Sequence, residues 1–142
     1  MFRVIGFDNK EYKFNYAKNK VRKFLKNKSS LHVLAREIIQ ELFPGMSIYE
    51  EVTLPGSNKF GRSSLLYADF FVPDVMLIVE THGKQHYEYC SFFHNTKLDF
   101  VNAKKRDADK IEWCHMNDIK IAILPFNEKC KWKTLIQQAV NQ

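Results

Sequence analysis

Val75-Met76-Leu77-Ile78-Val79 is an unbroken apolar run that ends abruptly in Glu80-Thr81-His82-Gly83. A strand with water on one face alternates apolar and polar residues, so a run without alternation marks a strand buried on both faces. Such a strand lies in the middle of a sheet with helices on either side, and this requirement narrows the fold to a layered α/β arrangement. The end of the run carries a carboxylate and an imidazole, which core packing does not call for.

The neighbouring segments fit that frame. Pro73-Asp74 is turn chemistry, and Leu65 to Val72 before it reads as a second strand, rich in aromatic and aliphatic residues. Upstream, Asn27-Lys28-Ser29-Ser30 carries a helix-start signal. Leu31, Leu34, Ala35, Ile38 and Leu42 then recur at helical offsets until Pro44-Gly45, predicting a helix over 31–43. Met46 to Leu54 reads as a strand and 55–58 as a loop. Downstream, a charged helix is predicted over about 97–117, with Leu98, Val101, Ala108 and Ile111 facing inward. Strand Ile119 to Leu124 and a closing helix near 131–141 follow. The order is helix, three strands, helix, strand, helix.

Charge divides the chain. The net charge is +6, yet residues 1–30 hold nine basic side chains against Asp8 and Glu11, a net of +7, and the remainder is at −1. We therefore separate a basic N-terminal arm (1–30), packed on or extending from the core, from a core domain (31–142). Lys18 to Lys28 has Val21, Phe24 and Leu25 at helical offsets and reads as a short basic amphipathic helix. A length of 142 residues suits one domain, and an aromatic content of 14% is too rich for a disordered chain. No apolar run approaches the roughly 20 residues needed to cross a bilayer, and the N-terminus lacks the apolar stretch of a signal peptide, so the expectation is a cytoplasmic protein without a membrane partner. Cys90, Cys114 and Cys130 contain no C-x-x-C pair, which gives neither a disulfide framework nor a zinc knuckle.

The chemistry gathers at the end of the central strand. Asp69 lies in the preceding strand, and a tight antiparallel connection brings it to the Glu80 region at one edge of the sheet. If the strand runs on through His82, Glu80 and His82 share a face and Thr81 takes the other. Buried carboxylates need a compensating partner. Oxygen ligands without cysteine favour Mg²⁺, with Mn²⁺ as a substitute, over zinc. His82, His86, Cys90 and His94 recur every four residues, but a helix carrying them would rise about 18 Å, so they cannot meet one ion.

Leu66-Tyr67-Ala68-Asp69-Phe70-Phe71-Val72-Pro73 followed by Leu77-Ile78-Val79-Glu80-Thr81-His82-Gly83-Lys84-Gln85-His86 resembles the core of the PD-(D/E)XK, or restriction-endonuclease-like, nuclease superfamily. It is most similar to the branch of very short patch repair endonucleases and phage homing endonucleases of the EDxHD type. The resemblance spans roughly 31–128. It takes in Glu37 on the preceding helix, Arg106-Asp107 on the charged helix, and the late strand ending Leu124-Pro125-Phe126-Asn127-Glu128. It implies a restriction-endonuclease-like core (α-β-β-β-α-β), a mixed central sheet flanked by helices. It also implies Mg²⁺ held by Asp69 and Glu80, with Glu37, preferred over Glu41, completing the site. His82 stands where the superfamily's main pattern has lysine, and an imidazole there is a reasonable proton acceptor at physiological pH. His86 is a second candidate for proton transfer or for holding a phosphate.

The function expected from these residues is Mg²⁺-dependent hydrolysis of phosphodiester bonds in double-stranded DNA, of phage, mobile-element or repair type, without a nucleotide cofactor. If phage-encoded, the protein works in the host cytoplasm. Lys18, Lys20, Arg22 and Lys23 of the arm would neutralise phosphates without reading sequence. Tyr12, Phe14 and Tyr16 either join them or pack the arm onto the body. Lys59 and Arg62 in loop 55–64 would enter a groove, and Lys84 would contact phosphate. Arg106, Asp107 and Lys110 either support the site, contact DNA or form local ion pairs. Cutting both strands calls for a homodimer or two binding events. The alternatives are a non-catalytic DNA-binding module on this scaffold, or a structure-specific or RNA nuclease.

Overall fold

The computed structural model describes residues 2–19, 29–91 and 94–142. Its centre is a mixed four-stranded sheet ordered β3-β4-β5-β6, built from β3 (Tyr49–Leu54), β4 (Leu66–Val72), β5 (Leu77–His82) and β6 (Lys120–Pro125). β3, β4 and β5 are antiparallel in sequence, while β5 and β6 run parallel. A parallel neighbour needs a long crossover, and α2 (Lys97–Met116) supplies it. The apolar run is thus one of the two middle strands, with Leu77, Ile78 and Val79 fully buried.

Each face of the sheet has its own core. On one, α1 (Ser30–Leu42) and α3 (Trp132–Val140) bring Ala35, Ile38, Ile39, Trp132 and Ile136 against Phe70, Val72, Leu77, Val79 and Leu124. The Ser29 hydroxyl caps α1 by accepting the His32 N–H at 3.2 Å, satisfying one of the free donors of the first turn. On the other face, Trp113 and Cys114 of α2 join Val52, Leu54, Phe71 and Ile78. α2 starts on a reciprocal capping box between Thr96 and Asp99. The reading of its inward stripe is corrected: Leu98 is 66% exposed, Val101 and Ala108 are also exposed, and Asp107, Lys110, Trp113 and Cys114 turn toward the sheet.

The N-terminal segment supplies part of that second core. β1 (Phe2–Ile5) and β2 (Glu11–Phe14) form an antiparallel hairpin around Asp8-Asn9, with Asn9 at φ +63°. Phe14 is fully buried and stacks on Phe71 at 5.1 Å, and Tyr16 packs edge-on against Tyr49 and Phe71. Of the two roles open to these aromatics, packing is the one observed. Asn117 pins the free edge of β1, accepting the Ile5 N–H at 2.6 Å and donating to the Ile5 carbonyl at 3.0 Å. Gly56, at φ +69°, lets the β3–β4 turn press on Gly6, where a Cβ would stand 2.6 Å from the Gly6 Cα. The basic helix expected over Lys18 to Lys28, with Lys20, Arg22 and Lys23, lies almost wholly outside the described residues, and Tyr16–Asn19 is a single 3₁₀ turn. Among the described residues, no helix is long and apolar enough to cross a membrane.

Candidate active site

The site sits where the ladders of the sheet come apart. β4 and β5 pair through Phe70↔Val79, Phe71↔Ile78 and Val72↔Leu77, and beyond that point side chains take over the work of the backbone. The Asp69 N–H donates to Glu80 Oε2 at 2.8 Å. The Thr81 N–H donates to Asp69 Oδ2 at 2.8 Å, and the Thr81 hydroxyl donates to the same oxygen at 3.2 Å. Asp69 and Glu80 are therefore interlocked at one end of the two central strands, rather than at a sheet edge.

A gap in the β3–β4 ladder, with the register unchanged on either side of it, adds a third carboxylate. Their pairing passes from Glu50↔Phe70 to Val52↔Ala68, with no bridge between Glu51 and Asp69. On β3, Tyr49, Val52 and Leu54 face the hairpin side, and on β4 so do Leu66, Ala68 and Phe71. The two-residue alternation thus skips one place in both strands, at Glu51 and Asp69. Glu51 takes φ +52°, a left-handed conformation that costs a non-glycine residue about 1 kcal/mol or more. The outcome is that Glu51, Asp69 and His32 of α1 offer ligand atoms within 4.8 Å of one another.

Glu80 is 1% exposed. Beyond the Asp69 N–H it meets Lys110 Nζ of α2, 2.5 Å from Oε1, an ion-pair contact without hydrogen-bond geometry that leaves Oε1 without a hydrogen-bond partner among the described residues. Burial and the neighbouring Asp69 charge push its pKa up to about 8, against the pull of Lys110. Burial favours the neutral Lys110 amine, but Glu80, Asp69 and Asp107 outweigh it and raise the pKa above the ordinary lysine value.

Two imidazoles complete the cluster. Gly83 leads β5 into a 3₁₀ turn (Lys84–His86), which folds His86 back over His82 with ring centroids 4.1 Å apart and planes 8° from parallel. His86 Nδ1 is 2.9 Å from Asp107 Oδ2, and His82 Nε2 is 3.9 Å from Asp107 Oδ1. Burial lowers the His82 pKa to about 4, helped by His86, so its ring is neutral at pH 7. Burial works to raise Asp107, but the His86 hydrogen bond and nearby positive charge hold it below the usual carboxylate value. The cleft over these groups has a volume of about 230 Å³ and is lined by Ser29, His32, Glu51, Asp69, Glu80, His82, Gln85, His86 and Lys110, among others.

Asp69, Glu80, His82 and His86 are brought together, and Glu37 is not. One residue along from Arg36, it is turned about 100° off the inward stripe of α1 and is exposed, so it does not complete the site. Glu41 is also exposed and pairs with Lys133 at 2.7 Å. Lys84 is an exposed residue paired with Glu88 at 3.5 Å. Lys59 reaches Asp109 and Glu112 of α2 at 2.9 Å each, and Arg62 reaches Asp109 at 3.1 Å, so both loop cations are neutralised within the fold. Arg106 is exposed. Cys90 and His94 do not join the imidazole pair: the Cys90 N–H donates to His94 Nδ1 at 3.1 Å. Glu51 and His32 are the residues the sequence reading missed, and Asp107 and Lys110 turn out to support the site.

No family model matches the chain, and no solved structure matches it. Two viral proteins are similar to part of it. Uncharacterized protein 033L of Invertebrate iridescent virus 3 is 39% identical over 64 residues, which are 45% of this chain and 33% of that protein. Uncharacterized protein 307L of Invertebrate iridescent virus 6 is 34% identical over 73 residues, 51% of this chain and 36% of that protein. The matched segments thus cover about a third of the length of these relatives.

Proposed function

We propose that this chain is a Mg²⁺-dependent endonuclease with a restriction-endonuclease-like core that hydrolyses phosphodiester bonds in DNA. The observation that carries the reading is the interlocked Asp69–Glu80 pair, two carboxylates against the single Lys110 ammonium 2.5 Å from Glu80 Oε1, beside the His82–His86–Asp107 cluster. A lone buried carboxylate is costly, and two together are costlier, unless a cation neutralises them. Asp69, Glu80 and Glu51 would hold Mg²⁺ or Mn²⁺; the oxygen donors suit either ion. When bound, the ion supplies Lewis-acid polarisation of the phosphate and a lower pKa for the attacking water.

The remaining steps fall to the protein's own groups. Asp107 holds His86 through Nδ1, which fixes the tautomer and leaves Nε2 to accept or deliver a proton. His82, neutral and buried beneath His86, keeps the imidazole pair from carrying two charges. Lys110 places a positive charge where a phosphate oxygen gathers negative charge. Incubation with supercoiled plasmid, in Mg²⁺ and in chelator, tests the proposal. Wild type cuts in Mg²⁺ alone, and Asp69→Asn and Glu80→Gln do not. Equal cutting by all three proteins, or none on any DNA or RNA, overturns it. Linear product without accumulated nicked circles indicates a homodimer cutting both strands.

A further inference from the structure

Phe60 packs on none of the described residues: its accessibility is 109% of the reference value for an exposed phenylalanine. Single exposed apolar residues are ordinary on protein surfaces, but this one stands at the tip of a loop whose flanks are bonded to the body. Lys59 and Arg62 exchange backbone hydrogen bonds of 3.0 and 2.8 Å, and Phe60-Gly61 forms the tip between them, with Gly61 at φ +87°. Both flanking side chains are tied to α2 through Asp109, and Arg62 also donates to the Ser57 and Ser64 carbonyls at 2.8 Å. The loop therefore spends its own cations on fixing its tip and presents the ring.

The ring borders a cleft of about 510 Å³ that Lys105 and Arg106 also line, and the lining holds four cations to one anion. Lys105 and Arg106 form no ion pair with the described residues. Arg106 also lines a second cleft of about 200 Å³ with Tyr67, His86, Asp107 and Lys110. A polyanion lying along these residues runs from Phe60 to the proposed active site.

We propose that Phe60 is a stacking platform for an unpaired base, and that the substrate is DNA with a single-stranded or unstacked segment beside the bond to be cut. This rests on the nuclease reading for its substrate. The chemistry is that of non-specific single-strand recognition, in which an aromatic face meets a base face and cations follow the backbone. Inside an intact duplex both faces of every base are already covered.

The test reads binding in chelator, where no cleavage is expected, using a single-stranded oligonucleotide containing 2-aminopurine and its blunt duplex. Wild type binds the single strand more tightly than the duplex and changes the 2-aminopurine emission. Phe60→Ala removes an unpacked ring, so the fold holds its thermal midpoint, while affinity for the single strand drops by roughly five- to a hundredfold. Phe60→Trp retains binding, and its indole emission is quenched by the strand. Lys105→Ala and Arg106→Ala each lower the salt slope by about one. Equal affinity and equal emission change for wild type and Phe60→Ala overturn the platform, as does a wild-type dimer in sedimentation that Phe60→Ala converts to monomer. Cleavage in Mg²⁺ that ignores Phe60→Ala overturns the platform and leaves the nuclease standing. Stacking without cleavage does the reverse.

Discussion

Glu50 and Glu80 are each 1% exposed, lie on strands of the same sheet and meet different fates. Glu50 points toward α1, where Arg36 reaches it with Nε at 3.1 Å and Nη2 at 2.9 Å and His32 Nε2 closes the triad. Burial raises its pKa, but His32 and Arg36 outweigh burial and the net shift is downward. Glu80 receives one backbone N–H, an ill-aligned ammonium and a second carboxylate, and its pKa goes up to about 8. Burial alone therefore does not mark a functional carboxylate. What marks it is burial with the compensation left incomplete, so that a cation or a proton has something to supply.

The largest separation between the two is in rate. Glu80→Gln lowers Mg²⁺-dependent cleavage on the order of a thousandfold, about 4 kcal/mol of transition-state stabilisation. The same change leaves metal-free stability near pH 7 unchanged or raised, because the fold otherwise has to take up a proton on Glu80 and an amide needs none. Glu50→Gln does the opposite. It removes the buried negative charge that Arg36 and His32 bond and costs about 3 kcal/mol in urea unfolding, while cleavage at a temperature where the variant is folded stays within a few-fold. Should Glu50→Gln abolish cleavage in a fully folded protein, the two residues would belong to one site and the contrast would collapse.

The same contrast governs what was legible in the sequence. Asp69, Glu80 and His82 stood out because a strand buried on both faces has no packing use for polar residues at its end. Glu51 did not, because its place depends on a left-handed backbone at a residue other than glycine. A trace was present: apolar positions 49, 52 and 54, and 66, 68 and 71, each contain one step of three where a regular strand has two. α2 misled for the reverse reason. Its inward stripe is polar at Asp107 and Lys110 because it faces the site, and a rule that sends apolar residues inward selects Leu98 and Val101 instead. The hairpin was masked by its lysines, although Phe2 and Val4, then Tyr12 and Phe14, alternate on either side of Asp8-Asn9.

pH separates the carboxylates with a smaller effect. Glu80 is raised from 4.5 to about 8 in the folded state, so the folded protein holds a proton that the unfolded chain has released. Metal-free stability therefore falls as pH rises through that window. His82, lowered from 6.5 to about 4, has the opposite sign below pH 6.5, where stability rises with pH, and contributes nothing further above it. Glu50, with its pKa lowered, adds stability that is complete above 4.5 and lost in acid. Between pH 6.5 and 8 Glu80 acts without them, and thermal or urea melts in chelator should lose about 2 kcal/mol. Saturating Mg²⁺ or Glu80→Gln flattens that slope; an equal slope in Glu80→Gln assigns it to another group.

The smallest effects decide which third acid belongs with Asp69 and Glu80. Glu51 is drawn into the cleft by its left-handed backbone, whereas Glu37 is exposed on the outer side of α1. Glu51→Gln keeps the side chain's volume and backbone position while removing one formal charge from the proposed ion site. It should weaken apparent Mg²⁺ affinity, read from the metal dependence of cleavage, by about tenfold, the scale of a supporting ligand. Glu37→Gln alters a solvated helix face and should shift stability by less than about 0.5 kcal/mol, with no change in metal dependence. A reversal, with Glu37→Gln raising the Mg²⁺ requirement and Glu51→Gln silent, would mean that α1 rotates toward the sheet when substrate binds. The gap in the β3–β4 ladder would then be an accident of packing rather than the device that assembles the site.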